Sequence, residues 1–90
     1  MNKKDYDPYV ELAKDIVIQM CEDYIKSSRF ILKYGKRKDL TENQFNRLHA
    51  AIKHREEDIL FFKSDKPETL CGYSGEFILK TLNERLLNHG

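Results

Sequence analysis

Five side chains in this sequence carry metal-ligand chemistry: Cys21, Cys71, His49, His54 and His89. Zinc sites usually take ligand pairs from one turn, as in C-x-x-C or H-x-x-x-H, because that spacing aims two lone pairs at one point. No such pair occurs here. His49 and His54 are five residues apart, about 140° around a helix, and so point away from each other. A set made of Cys21, Cys71 and one histidine would have to be gathered by the fold, and ordinary core thiols and surface imidazoles account for the same residues. The sequence predicts no metal and no cofactor.

Catalytic patterns are equally absent. There is no glycine-rich phosphate loop, no G-x-S-x-G elbow and no H-E-x-x-H helix, and nothing marks either cysteine as an activated nucleophile. Glu56, Glu57 and Asp58 are consecutive, so on a helix they diverge and cannot form one acid/base site. The expectation is a protein that is not an enzyme.

The strongest charge feature is Lys33, Lys36, Arg37 and Lys38 at the end of a predicted helix, with Tyr34 beside it as a stacking group. Arg47, Lys53 and Arg55 follow downstream. Such a cluster suits a nucleic-acid backbone or an acidic protein surface. The whole chain nevertheless balances 16 basic against 15 acidic residues for a net charge of +1, so any attraction has to be local.

A chain of 90 residues with 40% hydrophobic and 34% charged residues reads as one helical domain, residues 1–90, with residues 1–6 as a flexible N-terminus. No apolar run is long enough for a membrane span, and the polar first residues lack a signal-peptide core, so no membrane association and a cytoplasmic location are expected. Two cysteines fifty residues apart then read as free thiols.

These residues must be positioned by helices. Asp7-Pro8 starts the first, which runs to about Tyr34, where Gly35 can end it in a left-handed conformation. Its apolar residues fall in two stripes: Val10, Ala13, Val17, Met20, Tyr24 and Ile31, and beside them Ile18, Ile25 and Leu32. Together they span roughly 200°, wider than an ordinary surface helix buries. Either other helices of the chain fill both stripes, or Ile18, Ile25 and Leu32 await a target protein or a second copy. Glu11, Asp15 and Glu22 mark the wet side.

Thr41-Glu42-Asn43-Gln44 is a capping box that opens a helix to about Lys63, with Phe45, Leu48, Ile52, Ile59 and Phe62 on its core face. Phe61 falls on the other side with Arg47, His54 and Asp58, either as a partner anchor or packed beneath the following connection. Asp65 and Pro67 start a short turn through Leu70, and Ser74 caps a last helix, about Gly75 to Asn88, that buries Ile78, Leu79, Leu82 and Leu86. The fold class is all-α: a three-helix bundle with a long first helix and a short helical turn before the last. The long helices favour an antiparallel hairpin over a helix-turn-helix.

Residues 57–82 carry a recognisable block: Phe61-Phe62-Lys63-Ser64-Asp65, then Leu70, then Gly75-Glu76-Phe77, preceded on the first helix by Cys21-Glu22-Asp23-Tyr24. In this the sequence resembles a group of small proteins carried by phages and other mobile elements of Gram-positive bacteria. It departs from the group at Lys66-Pro67, where a Trp-Phe pair is common, and at Ser74, where Asp is more frequent. The resemblance implies an accessory protein that binds and blocks a host protein, most concretely an anti-CRISPR inhibitor of a CRISPR effector nuclease. The candidate partner-binding residues are Ile18, Ile25, Leu32, Lys36, Arg37, Lys38, Arg47 and Phe61. The second reading is a small nucleic-acid-binding regulatory protein using the basic loop 33–38.

Overall fold

The computed structural model describes the backbone of residues 8–89 and the side chains of residues 13–88. The expected Asp7 cap, the 1–6 terminus, the side chains of Val10 and Glu11 and that of His89 lie outside the described residues. The fold is all-α, with helix α1 over Pro8–Tyr34, α2 over Glu42–Lys63, α3 over Lys66–Cys71 and α4 over Gly75–His89.

The predicted caps explain most of these boundaries. The Gln44 N–H donates to Thr41 Oγ1 at 3.1 Å and the Thr41 N–H donates to Gln44 Oε1 at 3.0 Å, which completes the capping box. The Phe77 N–H donates to Ser74 Oγ at 3.2 Å at the start of α4. Two expectations are corrected. Asp65 makes no side-chain cap for α3; the neighbouring Ser64 hydroxyl accepts from the Lys66 N–H and donates to the Phe61 carbonyl. Gly35 does not take the left-handed conformation, which among the described residues only Gly72 adopts, at φ +86. A Cβ on Gly35 would instead lie 2.5 Å from the Ile31 carbonyl oxygen, so the helix closes too tightly for a side chain.

Helices α1 and α2 form the main pairing. Phe30 meets Arg47, Ser28 meets Arg55 and Tyr24 meets Phe62, so partners rise on α2 as they fall on α1 and the two run antiparallel. Val17, Tyr24, Leu48, Ala51, Phe62 and Leu82 are buried apolar residues, with Pro67 of α3 wedged among the most enclosed side chains. The α1 stripe through Val17 and Tyr24 is therefore the core stripe, as its spacing implies.

The buried face of α2 includes the expected Leu48 and Phe62, with Ile59 packed beside them, but is otherwise turned from the expected one. Leu48, Ala51, Asp58 and Phe62 are buried, whereas Phe45 and Ile52 are exposed. Phe61, expected off the core face, packs against the Tyr24–Phe62–Leu82 cluster and meets the Phe62 ring edge-on at 5.4 Å. Asp58, expected on the wet side, is only 5% exposed. The seam thus follows residues 48, 51, 55, 58 and 62, a heptad-like spacing that places Arg55 and Asp58 inside the hairpin.

Arg55 is satisfied there. Its guanidinium donates to Ser28 Oγ at 3.1 Å and to the Tyr24 hydroxyl at 3.2 Å, and that hydroxyl donates to Asn83 Oδ1 of α4 at 2.6 Å. Asp58 is not satisfied: its Oδ2 is buried without a hydrogen-bond partner. Burial, reinforced by the nearby Asp23 charge and opposed by His54, pushes its carboxyl from the ordinary 3.8 up to about 6.

The last helix is seated by a backbone contact. Gly75 is buried, and a Cβ built on it would lie 1.5 Å from the Phe62 carbonyl oxygen. No rotamer change relieves a clash with backbone. Gly75→Ala is expected to cost about 3 kcal/mol or more, read as a fall in the urea midpoint by circular dichroism. For Asp58, the folded chain keeps its proton to about pH 6 while the unfolded chain releases it near 3.8, so this carboxyl favours folding at low pH and that contribution is lost as pH rises through that window. Asp58→Asn should therefore stabilise the protein by roughly 1–2 kcal/mol at about pH 7 and by much less at about pH 4, measured as the difference in Tm from wild type at each pH.

Candidate functional site

A long concave feature lies between α1 and α4. Ile18, Cys21 and Ile25 of α1 and Leu82 of α4 form the floor of a groove of about 440 Å³. Lys26, Arg29 and Arg85 stand at its rim with a single carboxylate, Glu22. None of the three cations makes an ion pair or side-chain hydrogen bond with another described residue. A second hollow of about 210 Å³ shares Cys21 and Leu82 and continues the trough along α4 past Ile78 to Tyr73 and Phe77. Those two rings are exposed and stack on each other at 5.8 Å. Apolar floor, charged rim and exposed aromatic rings are the ingredients of a protein-binding surface.

Two of the three residues of the predicted apolar stripe meet here. Ile18 is 54% exposed and lines the groove, while Ile25 lines it from a half-buried position packed on the core. The two alternatives for the Ile18, Ile25 and Leu32 stripe thus divide: Ile25 is partly filled by the chain's own core, and Ile18 and Leu32 are exposed. Leu32 is 69% exposed and stands outside the groove, beyond the last α1 turn that lines it. Of the two readings offered for Phe61, the packed one fits: the ring is half-buried against the core cluster and is not an exposed anchor.

The basic set gathers at the hairpin end, away from the groove lining. Lys36, Arg37 and Lys38 are exposed. Arg37 is held by Asp39 through two hydrogen bonds of 3.2 and 3.1 Å, which raise the basicity of the guanidinium and lower the carboxyl below its usual range. Lys33 and Arg37 both sit over the Tyr34 ring, at 5.3 and 5.6 Å. Tyr34 in turn leans on Phe30 at 4.6 Å, and Arg47 covers Phe30 at 5.3 Å. The aromatic faces beside the basic loop are thus already occupied by the chain's own cations.

Cys21 and Cys71 are both free and half-buried. Burial pushes the Cys21 thiol up, and the nearby Cys71 adds to the rise against the opposing Arg85 charge, so Cys21 stays protonated and serves as apolar floor. On the opposite side of α1, Asp23, Ser27, His54 and Asp58 line a crevice of about 210 Å³ with Lys26. Among the described residues no three His, Cys, Asp or Glu side chains are placed to share a metal ion, and no helix is long and apolar enough to cross a membrane.

Sequence reading missed Arg29, Arg85, Tyr73 and Phe77. The signal was present for Arg29, which continues the Ile18, Cys21/Glu22, Ile25 spacing by one turn. It was absent for Arg85, because which residues of α4 face α1 depends on how α4 is seated. The chain matches no protein-family model, no curated protein and no solved structure.

Proposed function

We propose that this chain is a non-enzymatic binding protein that acts by occupying a surface of a partner protein. One observation carries the reading: an apolar-floored groove rimmed by uncommitted cations, on a chain that leaves nine large apolar side chains exposed among its described residues. The resemblance to small phage and mobile-element proteins supplies the biological setting, a bacterial host protein that is bound and blocked, and makes a CRISPR effector nuclease the first partner to try. The charge pattern sets the manner. Mimicry of nucleic acid needs a carboxylate-dense surface, whereas a net charge of +1 and a cationic rim fit occlusion of an apolar, acidic protein surface.

Nucleic-acid binding through loop 33–38 is the weaker reading. Arg37 is tied to Asp39 and the Tyr34 ring is covered, which leaves Lys36 and Lys38 as uncommitted cations of the loop, enough to release only about two counterions.

The deciding experiment is affinity capture from bacterial cytosol with its nucleic acid left intact, followed by a cleavage assay with any captured nuclease. Wild type and the triple variant K36A/R37A/K38A should retain one protein in stoichiometric amount, and Ile18→Asp should lose it while keeping its helical circular dichroism, because Ile18 is exposed enough to accept a charge. Retention of nucleic acid alone, lost in the triple variant, would establish the second reading instead.

A further inference from the structure

The groove has a length, a polarity and a charge sign, and together they specify an occupant. Its α1 wall runs from Ile18 to Arg29, three turns or about 16 Å. Its α4 wall runs from Phe77 to Arg85, about 12 Å. Both walls are continuous α-helix, so their backbone N–H and C=O groups are spent on each other. An extended segment laid between them would find no ladder to join and would leave its own backbone unpaired against apolar side chains. A helix brings its hydrogen bonds with it.

The floor favours an apolar stripe. Ile18, Cys21, Ile25 and Leu82 offer a recess for side chains spaced one turn apart, and the stacked Tyr73 and Phe77 extend it at the α4 end. The rim favours acid on both flanks of that stripe, since Lys26 and Arg29 rise from one wall and Arg85 from the other, against Glu22 alone. The outer face of α2 makes a poor second-copy occupant: its exposed Ile52 and Leu60 lie among Lys53, Glu56, Glu57 and Lys63, two charges of each sign.

We infer that the α1/α4 groove receives an amphipathic acidic helix of about three turns from a partner protein, apolar residues on the floor and Asp or Glu against Lys26, Arg29 and Arg85. This rests on the binding reading proposed above and adds the chemistry of what is bound. The recessed floor and the two-sided cationic rim hold the helix along the groove axis, and the charges set which helices are accepted.

The test uses the full chain and two fluorescein-labelled synthetic helices of about three turns, with the same leucine stripe and either Glu or Lys on both flanks. Fluorescence anisotropy should show the Glu helix binding about tenfold or more tighter than the Lys helix, with the preference reversed in R29E/R85E and unchanged in K36A/R37A/K38A. Both arginines are exposed, so the charge reversal leaves packing intact. Equal affinity for the two helices, or a preference indifferent to R29E/R85E, would overturn the inference. So would stronger binding to phosphatidylserine vesicles than to the Glu helix, or a sedimenting dimer that Ile18→Asp dissolves. If the helices fail while cytosolic capture still depends on Ile18, the groove binds protein by another chemistry and only this inference falls; if the Glu helix binds but nothing is captured, the inference stands and the proposed function falls.

Discussion

The structure depends on the hydroxyl of Tyr24. Its side chain is 1% exposed at the point where three helices converge, with its ring edge-to-face against Phe62 at 6.2 Å. A buried hydroxyl left unpaired costs about 1–3 kcal/mol, so the phenol must meet polar partners inside an apolar centre. Arg55 supplies a donor from α2 and Asn83 an acceptor from α4. The Arg55 guanidinium is itself enclosed by Ser28 and by the Tyr24 ring, 5.2 Å away. Each contact is directional, so the chain that runs from Ser28 to Asn83 fixes the rotation of α2 and the position of α4 together. The groove is defined by that placement, because Leu82 and Arg85 stand beside Asn83 on the helix that Tyr24 holds.

Most of the helix boundaries were legible because their signals are local. A capping box, a Ser cap, a Pro start and two glycines act within four residues of themselves. The rotation of α2 was not legible, for a physical reason. Its seam carries Arg55 and Asp58 where hydrophobicity alone would place apolar residues, and Phe45 and Ile52 sit on the outer face. A reading that sorts residues by apolarity turns such a helix the wrong way. Phe61 follows from the same cause, since its neighbour Phe62 belongs to the true seam and both rings pack in the Tyr24–Leu82 cluster.

The candidate site was half legible. The Ile18, Ile25, Leu32 spacing correctly marked surplus apolar surface on α1, but its division could not be read from one helix. α4 has 15 residues against 27 in α1, so it covers only part of the stripe. Ile25 lies where α4 reaches, Ile18 at the margin and Leu32 beyond it. The basic loop drew attention as a run of letters. Within it Arg37 is held by Asp39 and lies with Lys33 over the Tyr34 ring, whereas the cations of the groove are scattered in sequence and assembled only in space.

The contact of Gly75 with the Phe62 carbonyl also reaches into heredity. Every amino acid but glycine carries a Cβ, so every missense change of that codon places an atom where the α2 backbone already lies. The twelve positions from Lys63 to Ser74 form a closed excursion between two touching points of main chain. Its exposed side chains, such as Lys66 and Glu68, are free to drift, but its residue count is not, because one inserted or deleted residue would bring a different position onto the carbonyl. Descendants of this sequence should vary the composition of that stretch while conserving its length, a signature that would distinguish true relatives from proteins that share only the flanking Phe-Phe and Gly-Glu-aromatic steps.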